Sequence, residues 1–509
     1  MTYHQSPRSR SLLKDLCALL GHVSERRRVQ LGWLVVLMVV SSLSEVISLG
    51  ALPPFLSALG NPSALLASAH FALFVKLLAI ETPQQLIQVL SLILITATLI
   101  AATVQTLTIY YQTKLAGHIA TELSVKLYRN ALAQPYSYHL TQDSSDLINT
   151  VVGDTRQLTR EILIPLVIAV SNGLVTLAIV AGLFIINAKS TLIAGGVLGG
   201  VLWVFYYLRR NQVLTNSEIL VWSNQEQIKI VQESLGGIRD VLIGKNQNFF
   251  VKVYHHADRP YHQAIASNNF ISLTPRYIIE AIAIVLIVLL ALSLGQDGDF
   301  STALPILGGL ALGAVRLLPA FHKTFTNLTK IQGSHSSLER ILAGLHRTHE
   351  ADHETFLQPD PGVKEVIPFR DRLVFNHVWF QYGEGTQWMI QDLNFTIKPG
   401  TMVGFIGSTG SGKSTAADLI LGLLQPQRGE ILIDGSPLSG RTIDGWQNMI
   451  AHVPQSIFLV DGTIYENVAF GIPKEEIDYE RVHRVAKLAQ IDQFIEELPD
   501  RYYTLTGER

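Results

Sequence analysis

Six long apolar stretches constrain the fold of this chain more than any other feature of its sequence. A helix needs about 20 apolar residues to cross a hydrocarbon core of ~30 Å. Each stretch approaches or exceeds that length, so the sequence predicts six membrane-spanning helices. They lie near residues 31–59, 86–110, 162–186, 191–208, 271–294 and 302–318. Little more than the segment "NAKS" separates the third stretch from the fourth, which predicts a tight helical hairpin.

The composition agrees with a membrane location and argues against nucleic acid as a partner. Apolar residues make up 48% of the chain and charged residues only 16%, with the apolar excess in the first two thirds. The formal net charge of -2 gives no basic field of the kind that nucleic-acid-binding proteins carry. A length of 509 residues also exceeds what one hydrophobic core usually organises, so at least two domains are expected.

Lysine and arginine residues predict how the six helices are oriented. They gather in the first 30 residues and in the two long loops that follow the second and fourth apolar stretches. The alternate loops contain only Lys76 and Lys189. The positive-inside rule therefore places both termini and both long loops in the cytoplasm. Helical apolar spacing continues through the long loops, which predicts that the membrane helices extend well into the cytosol.

The composition changes after residue 318. The segment "LHRTHEADHETFLQPDPGVKEVIP" is polar and contains His, Asp and Pro, which indicates a linker. From residue 372 onward, "RLVFNHVWFQY", "LNFTIKP" and "MVGFIG" alternate in the manner of strands. A soluble α/β domain is predicted to begin here.

The strongest motif in the chain is "GSTGSGKS", residues 407–414, which fits the pattern G-x-x-x-x-G-K-[ST]. It follows the predicted strand "MVGFIG" and precedes the predicted helix "STAADLILGLL". Glycine residues permit a tight loop whose backbone N–H groups point at phosphate oxygens, and the following helix adds its positive N-terminal end. The motif therefore predicts a site for ATP and Mg²⁺. Its candidate ligand residues are Gly407, Ser408, Thr409, Gly410, Ser411, Gly412, Lys413, Ser414 and Thr415.

Five side chains have distinct predicted roles at this site. Lys413 is expected to reach the β- and γ-phosphates, Ser414 to hold Mg²⁺ through its hydroxyl, and Thr415 to support the α-phosphate end. Tyr382 ends a predicted strand about 25 residues before the loop, where its ring can stack on adenine. Gln455 lies about 45 residues after the loop, between a predicted short strand and a loop, where its amide can meet Mg²⁺ or the attacking water.

Together with the six apolar stretches, these residues resemble the half-transporters of the ATP-binding-cassette exporter type, in which one chain joins a six-helix permease to a nucleotide-binding domain. The segment "GSTGSGKST" is similar to that family's Walker A motif, Tyr382 to its adenine-stacking aromatic residue, and Gln455 to its Q-loop glutamine. Segments such as "SEVISLGALPPFL" and "AVRLLPAFHK" most resemble flippases of lipid-linked oligosaccharides and related polysaccharide exporters.

The resemblance implies a multidomain membrane protein, with an all-α six-helix transmembrane domain followed by an incomplete α/β P-loop ATPase domain. Its function is expected to be ATP-driven export or flipping of an amphiphilic lipid-linked saccharide or polysaccharide precursor, by a homodimer in the bacterial inner membrane. Alternatives are another lipid or peptide exporter of the same family, or a non-hydrolysing ATP-binding subunit. The predicted boundaries are a cytoplasmic lead-in at 1–30, a permease at 31–335, a linker at 336–368 and part of a nucleotide-binding domain at 369–509.

The sequence departs from the family's pattern after "TLTGER". The LSGGQ signature, the Walker B strand and the switch histidine do not occur in it, and neither "ILIDG" nor "PLSGR" replaces them. Without a Walker B aspartate and its neighbouring glutamate, Mg²⁺ loses a ligand and water loses its general base. A chain of these 509 residues is therefore expected to be deficient in ATP hydrolysis.

Charged residues inside predicted spans are candidates for a substrate cavity. Arg276 and Glu280 lie one turn apart near the cytoplasmic start of the fifth span, and Arg316 lies in the sixth. If both arginines face a central cavity, they can grip a lipid pyrophosphate through paired guanidinium groups. The alternatives are that the arginines reach lipid headgroups at the interface, or that Arg276 and Glu280 form a structural pair.

Overall fold

The computed structural model describes residues 12–60, 62, 66, 76, 80, 82–186, 188–295, 300–346, 369–383, 385–455 and 457–507. The chain divides into two compact units, Met1–Asp360 and Pro361–Arg509. The division falls inside the predicted linker, most of which lies outside the described residues, so its predicted boundaries stay predictions.

The first unit consists entirely of helices in its described part. Two π-helical turns, Asn149–Asp154 and Leu158–Leu163, interrupt the helical run that leads into the third predicted span. The α-helices are α1 Leu12–Gly21, α2 Glu25–Gly50, α3 Leu52–Gly60, α4 Pro83–Leu132, α5 Tyr136–Thr141, α6 Ser144–Ile148, α7 Thr155–Gln157, α8 Ile164–Ile186, α9 Ala188–Gly236, α10 Ile238–Ile243, α11 Gln247–Gly295, α12 Phe300–Gly333 and α13 His335–His346.

The helices α4, α9 and α11 are much longer than a membrane crossing requires. The helix α4 contains 50 residues, which corresponds to about 75 Å at 1.5 Å per residue. Its start is fixed by a capping box, in which the Thr82 hydroxyl accepts from the Gln85 amide and the Gln85 side chain accepts from the Thr82 amide. Each of these helices is therefore longer than one membrane crossing, as predicted, while the cytosolic location of the extensions stays a prediction. The short helices α5 and α10 lie at the turns of the two predicted cytoplasmic loops.

Five helical segments in the described residues are long and apolar enough to cross a membrane. In the most apolar window of α4 only 6% of residues are buried, and Leu92, Ile95 and Leu99 are all more than half exposed. Such apolar surface is stable only against lipid or another protein. The sixth predicted span falls in α12, where most side chains lie outside the described residues. The predicted hairpin segment "NAKS" occupies residues 187–190. Residue 187 lies outside the described residues, and residues 188–190 are the first residues of α9.

The largest hydrophobic core among the described residues of this unit joins several of its helices. Leu338, Ile341 and Leu345 of α13 are completely buried, and they pack with Leu19 of α1 and Leu123 of α4. Their spacing of three and four residues puts all three α13 side chains on one helical face. The core therefore joins the N-terminal helix to the segment that follows the sixth predicted span.

Two sets of ionic contacts, one buried and one partly buried, join helices of the first unit. The His335 Nε2 and Asp15 Oδ2 atoms are 2.9 Å apart, and both side chains are buried. The Arg340 guanidinium donates to Asp154 Oδ1 at 2.8 Å and to Asp146 Oδ1 at 3.2 Å. Asp154 is only 1% exposed, so its charge depends on Arg340 for compensation.

We predict that the Arg340→Leu substitution destabilises the membrane unit by about 3 kcal/mol, because a buried carboxylate then loses its charged partner. Thermal unfolding of the full chain in detergent measures the loss. Arg129→Leu is a matched control, since Arg129 is exposed and makes no ion pair among the described residues. Equal melting temperatures for the two variants would contradict the prediction.

The second unit contains a four-stranded antiparallel sheet in the order β2–β1–β3–β4, and a separate pair β5–β6. The predicted strands "RLVFNHVWFQY" and "LNFTIKP" are confirmed as β1 and β2. Strand β1 has bulges against both neighbours, and a side chain at Gly429 would lie 2.0 Å from the His377 carbonyl oxygen. Only glycine allows this close approach. The strands are β1 Leu373–Phe380, β2 Ile390–Ile397, β3 Arg428–Ile433, β4 Ser436–Pro437, β5 Gly462–Thr463 and β6 Leu505–Thr506.

Helix α14 (Lys413–Ile420) packs on this sheet through Leu419, which is completely buried with Phe375 and Val378 of β1. The Trp446 indole N–H donates to the Ile420 carbonyl at 2.7 Å and closes the end of that helix. The other helices of the unit are α15 Arg441–Gln447, α16 Ile464–Val468, α17 Tyr479–Leu488 and α18 Asp492–Glu496.

The turn after β3 anchors the first described residues of the domain. The Asp434 carboxylate accepts backbone N–H groups of Arg370, Asp371 and Arg372 at 2.7–2.8 Å. These bonds, with that from Arg370 the largest cause, hold the pKa of the Asp434 carboxyl below its ordinary value. Asp434 belongs to the segment "ILIDG", which does not replace a Walker B strand. Its carboxylate instead binds the backbone at the start of the domain.

A second, smaller core lies in the helical part of the domain. Tyr465 and Tyr502 are buried with their rings stacked 4.9 Å apart. The Tyr502 hydroxyl donates to Asp492 Oδ1 at 2.6 Å. Burial and this bond raise the pKa of Tyr502. The cluster shows that residues 464–503 form a packed helical subunit of the domain.

The prediction that "MVGFIG" forms a strand is wrong for this structure, and so is the short strand expected before Gln455. Residues 401–408 and 451–455 have no regular secondary structure. Met402, Ile406 and Val453 are almost fully exposed, at 101%, 99% and 90%. A central strand is held by ladders from neighbours on both sides. Among the described residues, no strand pairs with either segment.

Candidate functional site

The segment before α14 forms a tight loop because two of its glycines adopt left-handed backbone conformations. Gly410 has φ of 84° and Gly412, the residue at the start of α14, has φ of 89°. The Ser411 amide donates to the Ser408 carbonyl at 3.2 Å, which closes the turn. Residues with a Cβ atom rarely adopt these angles, so the glycine spacing of the motif is a direct requirement of the turn.

The first backbone N–H groups of α14 have no hydrogen-bond partner within the helix. The first bond within that helix runs from the Ala416 amide to the Gly412 carbonyl, 2.8 Å long. The amides of Lys413, Ser414 and Thr415 therefore precede the first intrahelical hydrogen bond. Together with the positive end of the helix dipole they form a binding site for phosphate oxygens.

Lys413 lies over this loop with its side chain partly buried. Its ammonium group donates to the carbonyls of Gly407 at 2.9 Å and Ser408 at 2.8 Å. The positive charge is thus held at the centre of the loop, beside the free amides. This is the position from which a lysine can neutralise bound phosphate, although its contact with the β- and γ-phosphates stays a prediction.

Tyr382 is brought to the same loop by the sheet. Its hydroxyl lies 2.8 Å from the Thr415 hydroxyl, and Thr415 is buried. The Phe380 ring meets the Tyr382 ring edge to face at 5.0 Å and fixes its orientation. The structure therefore joins the aromatic residue and the phosphate loop, which are 33 residues apart in the chain. Stacking of Tyr382 on adenine stays a prediction.

Gln427 is a positioning residue that the sequence analysis missed. Its side-chain oxygen accepts from the Gln381 amide at 3.0 Å, and its side-chain nitrogen donates to the Gln381 carbonyl at 2.8 Å. This pair of bonds extends the sheet by one residue and fixes the backbone next to Tyr382. A separation of 46 residues and an ordinary glutamine give no sequence signal for it.

The acidic residue on the phosphate-binding helix has an altered pKa. Burial raises the pKa of the Asp418 carboxyl, and the positive charge available at His452 partly opposes this rise.

The other predicted nucleotide-site residues lie at the surface of the domain. Ser408, Thr409 and Ser411 are exposed on the loop, and Ser414 is exposed in the first turn of α14, where its hydroxyl is available to a metal ion. Gln455 is exposed and makes no hydrogen bond with the loop within the described part of the domain, so its roles in metal binding and catalysis stay predictions.

The predicted cavity residues belong to the first unit. Arg276 and Glu280 are exposed on α11, and the described residues show no ion pair between them. The Arg316 side chain lies outside the described residues. The structure therefore leaves the predicted grouping of these three residues untested.

The donor set fits a magnesium nucleotide. Three helix N-terminal amides and one ammonium group suit a polyphosphate, and a serine hydroxyl beside them suits Mg²⁺. A helical unit with membrane-crossing segments, followed by a domain with this loop, defines a membrane protein that carries its own nucleotide-binding domain.

Comparison with known proteins gives the family. Residues 51–301 match the ABC transporter transmembrane region, and residues 390–507 match the ABC transporter domain that binds ATP. The chain belongs to the ABC transporters, as an integral membrane half-transporter with a membrane domain and an ATP-binding domain in one polypeptide.

Several curated relatives carry the same description, "ATP-dependent lipid A-core flippase". The relative from Ralstonia nicotianae is 25% identical over 404 residues, and that from Cupriavidus pinatubonensis is 24% identical over 411 residues. The relative from Saccharophagus degradans is 27% identical over 406 residues. Each alignment covers 78% of this chain and 66% of the relative. The chain thus spans just under two thirds of the length of these relatives.

We predict that Lys413→Ala weakens ATP binding at least about tenfold, because a hydrogen bond to a charged group contributes ~1.5–3 kcal/mol. Binding of a fluorescent ATP analogue to the full chain measures the change. Lys398→Ala is the control, since it removes the same charge from the same domain outside the loop. Unchanged affinity in Lys413→Ala would remove this residue from the site.

We also predict different costs for two glycine substitutions. Gly410→Ala destabilises the domain by about 1–2 kcal/mol, because alanine is strained in the left-handed conformation. Gly412→Ala costs more, since its Cβ would also lie 3.2 Å from the Met389 carbonyl oxygen, whereas Gly410 has nothing within 4 Å. Calorimetry of the full chain compares the two variants. Equal losses of stability would show that the contact with Met389 has no effect.

Proposed function

We propose that the protein is an ATP-driven flippase or exporter that moves an amphiphilic lipid-linked saccharide or polysaccharide precursor. The observation that carries the proposal is the joining of Tyr382, Thr415 and the phosphate loop in a domain that follows a membrane unit. The curated relatives are described as ATP-dependent lipid A-core flippases, which supports a lipid-linked saccharide as the class of substrate.

The proposed mechanism begins at the loop. Nucleotide phosphates bind the amides of Lys413, Ser414 and Thr415, and the Lys413 ammonium neutralises part of their charge. Ser414 would hold Mg²⁺ through its hydroxyl, and the ion would supply positive charge to the bound phosphates. Tyr382 supports the adenine, while its hydroxyl bond to Thr415 couples the position of the base to the position of the loop. Gln455 would contact the metal or the attacking water through its amide.

We place the protein in the bacterial inner membrane as a homodimer, with both termini and the long loops in the cytoplasm. The distribution of Lys and Arg supports this orientation. Within the first unit, long helices continue past the length of a membrane crossing, with the short helices α5 and α10 at the turns of the two long loops.

Arg276 is the best placed of the proposed substrate residues. It is exposed on α11 and has no carboxylate partner in the described part of the chain, so its guanidinium is available to a phosphate. Arg316 is proposed as a second contact from the sixth span. Glu280, one turn from Arg276, would place a negative charge beside this contact.

Reconstituted proteoliposomes test the proposal on the natural protein that carries this sequence. A fluorescent lipid-linked oligosaccharide should change leaflet only when ATP is present, and Lys413→Ala should stop the movement. We predict that Arg276→Ala reduces flipping at least about tenfold and leaves ATP binding unchanged, because it removes only a substrate contact.

Arg210→Ala is the matched control for that variant, since Arg210 is another exposed arginine near a membrane end of a long helix. Equal flipping by Arg276→Ala and the control would remove Arg276 from the substrate path. ATP binding without any flipping of lipid-linked oligosaccharide would favour another exporter or a non-hydrolysing subunit.

A further inference from the structure

A cavity of about 420 Å³ lies between α2 and α4, where the two helices pack side by side. The space is far larger than the ~30 Å³ of one water and within the range of small-ligand sites. It is distinct from both the phosphate loop and the candidate substrate arginines. Its lining residues are Arg27, Gln30, Trp33, Leu34, Leu37, Tyr111, Lys114, Leu115 and His118.

The lining has two chemical halves. One half is basic, formed by Arg27, Lys114 and His118, and the other is aliphatic and aromatic. No acidic residue is present among the described lining residues. An apolar wall beside a cluster of basic groups suits a ligand that is itself amphiphilic and anionic.

The basic groups keep charge available for such a ligand. Arg27 donates to Gln30 at 2.8 Å, while its Nε lies 3.9 Å from the Glu122 carboxylate. Both oxygens of that carboxylate already accept from Ser24, at 2.7 and 2.9 Å. Lys114 has Tyr110 as its partner, with the ammonium 3.3 Å from the hydroxyl and 5.4 Å from the ring centre. The Glu122 carboxylate keeps its negative charge when it accepts these neutral donors, so it offsets part of the Arg27 charge. Lys114 has no carboxylate partner among the described residues, so positive charge remains at this half of the cavity.

The lining residues lie on both sides of the predicted boundary between membrane and water on each helix. The first predicted span begins near residue 31 and the second ends near residue 110. Arg27 and Lys114 lie just outside these limits, whereas Trp33 and Leu37 lie just inside. Trp33 is 72% exposed and Tyr111 is 51% exposed, as expected for aromatic side chains at the lipid headgroup level.

We propose that this cavity binds an anionic glycerophospholipid from the membrane leaflet on the side of the N-terminus. The lipid phosphate lies among Arg27, Lys114 and His118, and the part of an acyl chain next to the headgroup lies along Trp33 and Leu37. The bound lipid is a resident partner of the membrane domain and not the transported molecule. The proposal rests on the membrane location of α2 and α4 and does not depend on the transported substrate.

Native mass spectrometry of the full chain in detergent tests the proposal with phosphatidylglycerol, phosphatidylcholine and glycerol 3-phosphate as separate probes. Each basic contact to an anionic headgroup contributes a factor of about five in affinity. We therefore expect the double variant R27Q/K114Q to bind the first phosphatidylglycerol about 25-fold more weakly. R209Q/R210Q is the matched control, because it removes two basic charges near the end of another predicted span.

Leu37→Trp tests the apolar half of the cavity, since the larger side chain takes up space along the wall. It should weaken binding of phosphatidylglycerol while all basic residues remain. Glycerol 3-phosphate should bind much more weakly than phosphatidylglycerol, because it has no acyl chain to contact that wall. Binding of an ATP analogue and the melting temperature verify that each variant is folded.

Three results would overturn the proposal. The first is equal affinity for phosphatidylglycerol and phosphatidylcholine, and the second is a loss of affinity in R27Q/K114Q no greater than that in R209Q/R210Q. The third is binding of glycerol 3-phosphate as tight as that of the lipid, which would assign the cavity to a free phosphate compound. None of these results bears on flipping, so they leave the proposed function to its own test.

Discussion

The need to satisfy every backbone N–H and C=O group inside lipid governs the architecture of this protein. A helix meets that requirement within its own segment, and a closed barrel is the other solution for a spanning chain. Here the helices continue well past the membrane. After the first turn of α4 neither it nor α9 contains a proline, and α11 stays helical for 49 residues through Pro260 and Pro275. The same helices that meet this requirement over their apolar lengths therefore also build the part of the first unit that lies beyond those lengths.

The nucleotide-binding domain uses its backbone in the opposite way. Its phosphate loop leaves N–H groups unpaired, since Gly410 and Gly412 turn the chain so that three amides precede the first bond of α14. The sheet then supplies Tyr382 to the same place, and Gln427 fixes the strand that carries it. Unpaired donors are tolerated here because they lie at the surface, where water or phosphate can bind them.

The features that sequence predicted well are those that local pattern and spacing determine. Apolar length revealed the spans, and the glycine and lysine spacing revealed the loop. Gln427 and the Thr415 partner of Tyr382 were missed, because these contacts join segments 46 and 33 residues apart through ordinary residue types. The predicted strand "MVGFIG" failed for a related reason. Its apolar letters suit a central strand, but strand formation also depends on neighbours that its own sequence does not specify.

The Asp434 turn has a mechanical consequence. The chain enters the folded domain at residues 370–372, and the three amides there are bonded to one carboxylate that follows β3. A force applied along the preceding linker would load these bonds together, instead of opening the edge of the sheet one bond at a time. Because three hydrogen bonds would have to break together, the turn should make the start of the domain resistant to unfolding under a pulling force.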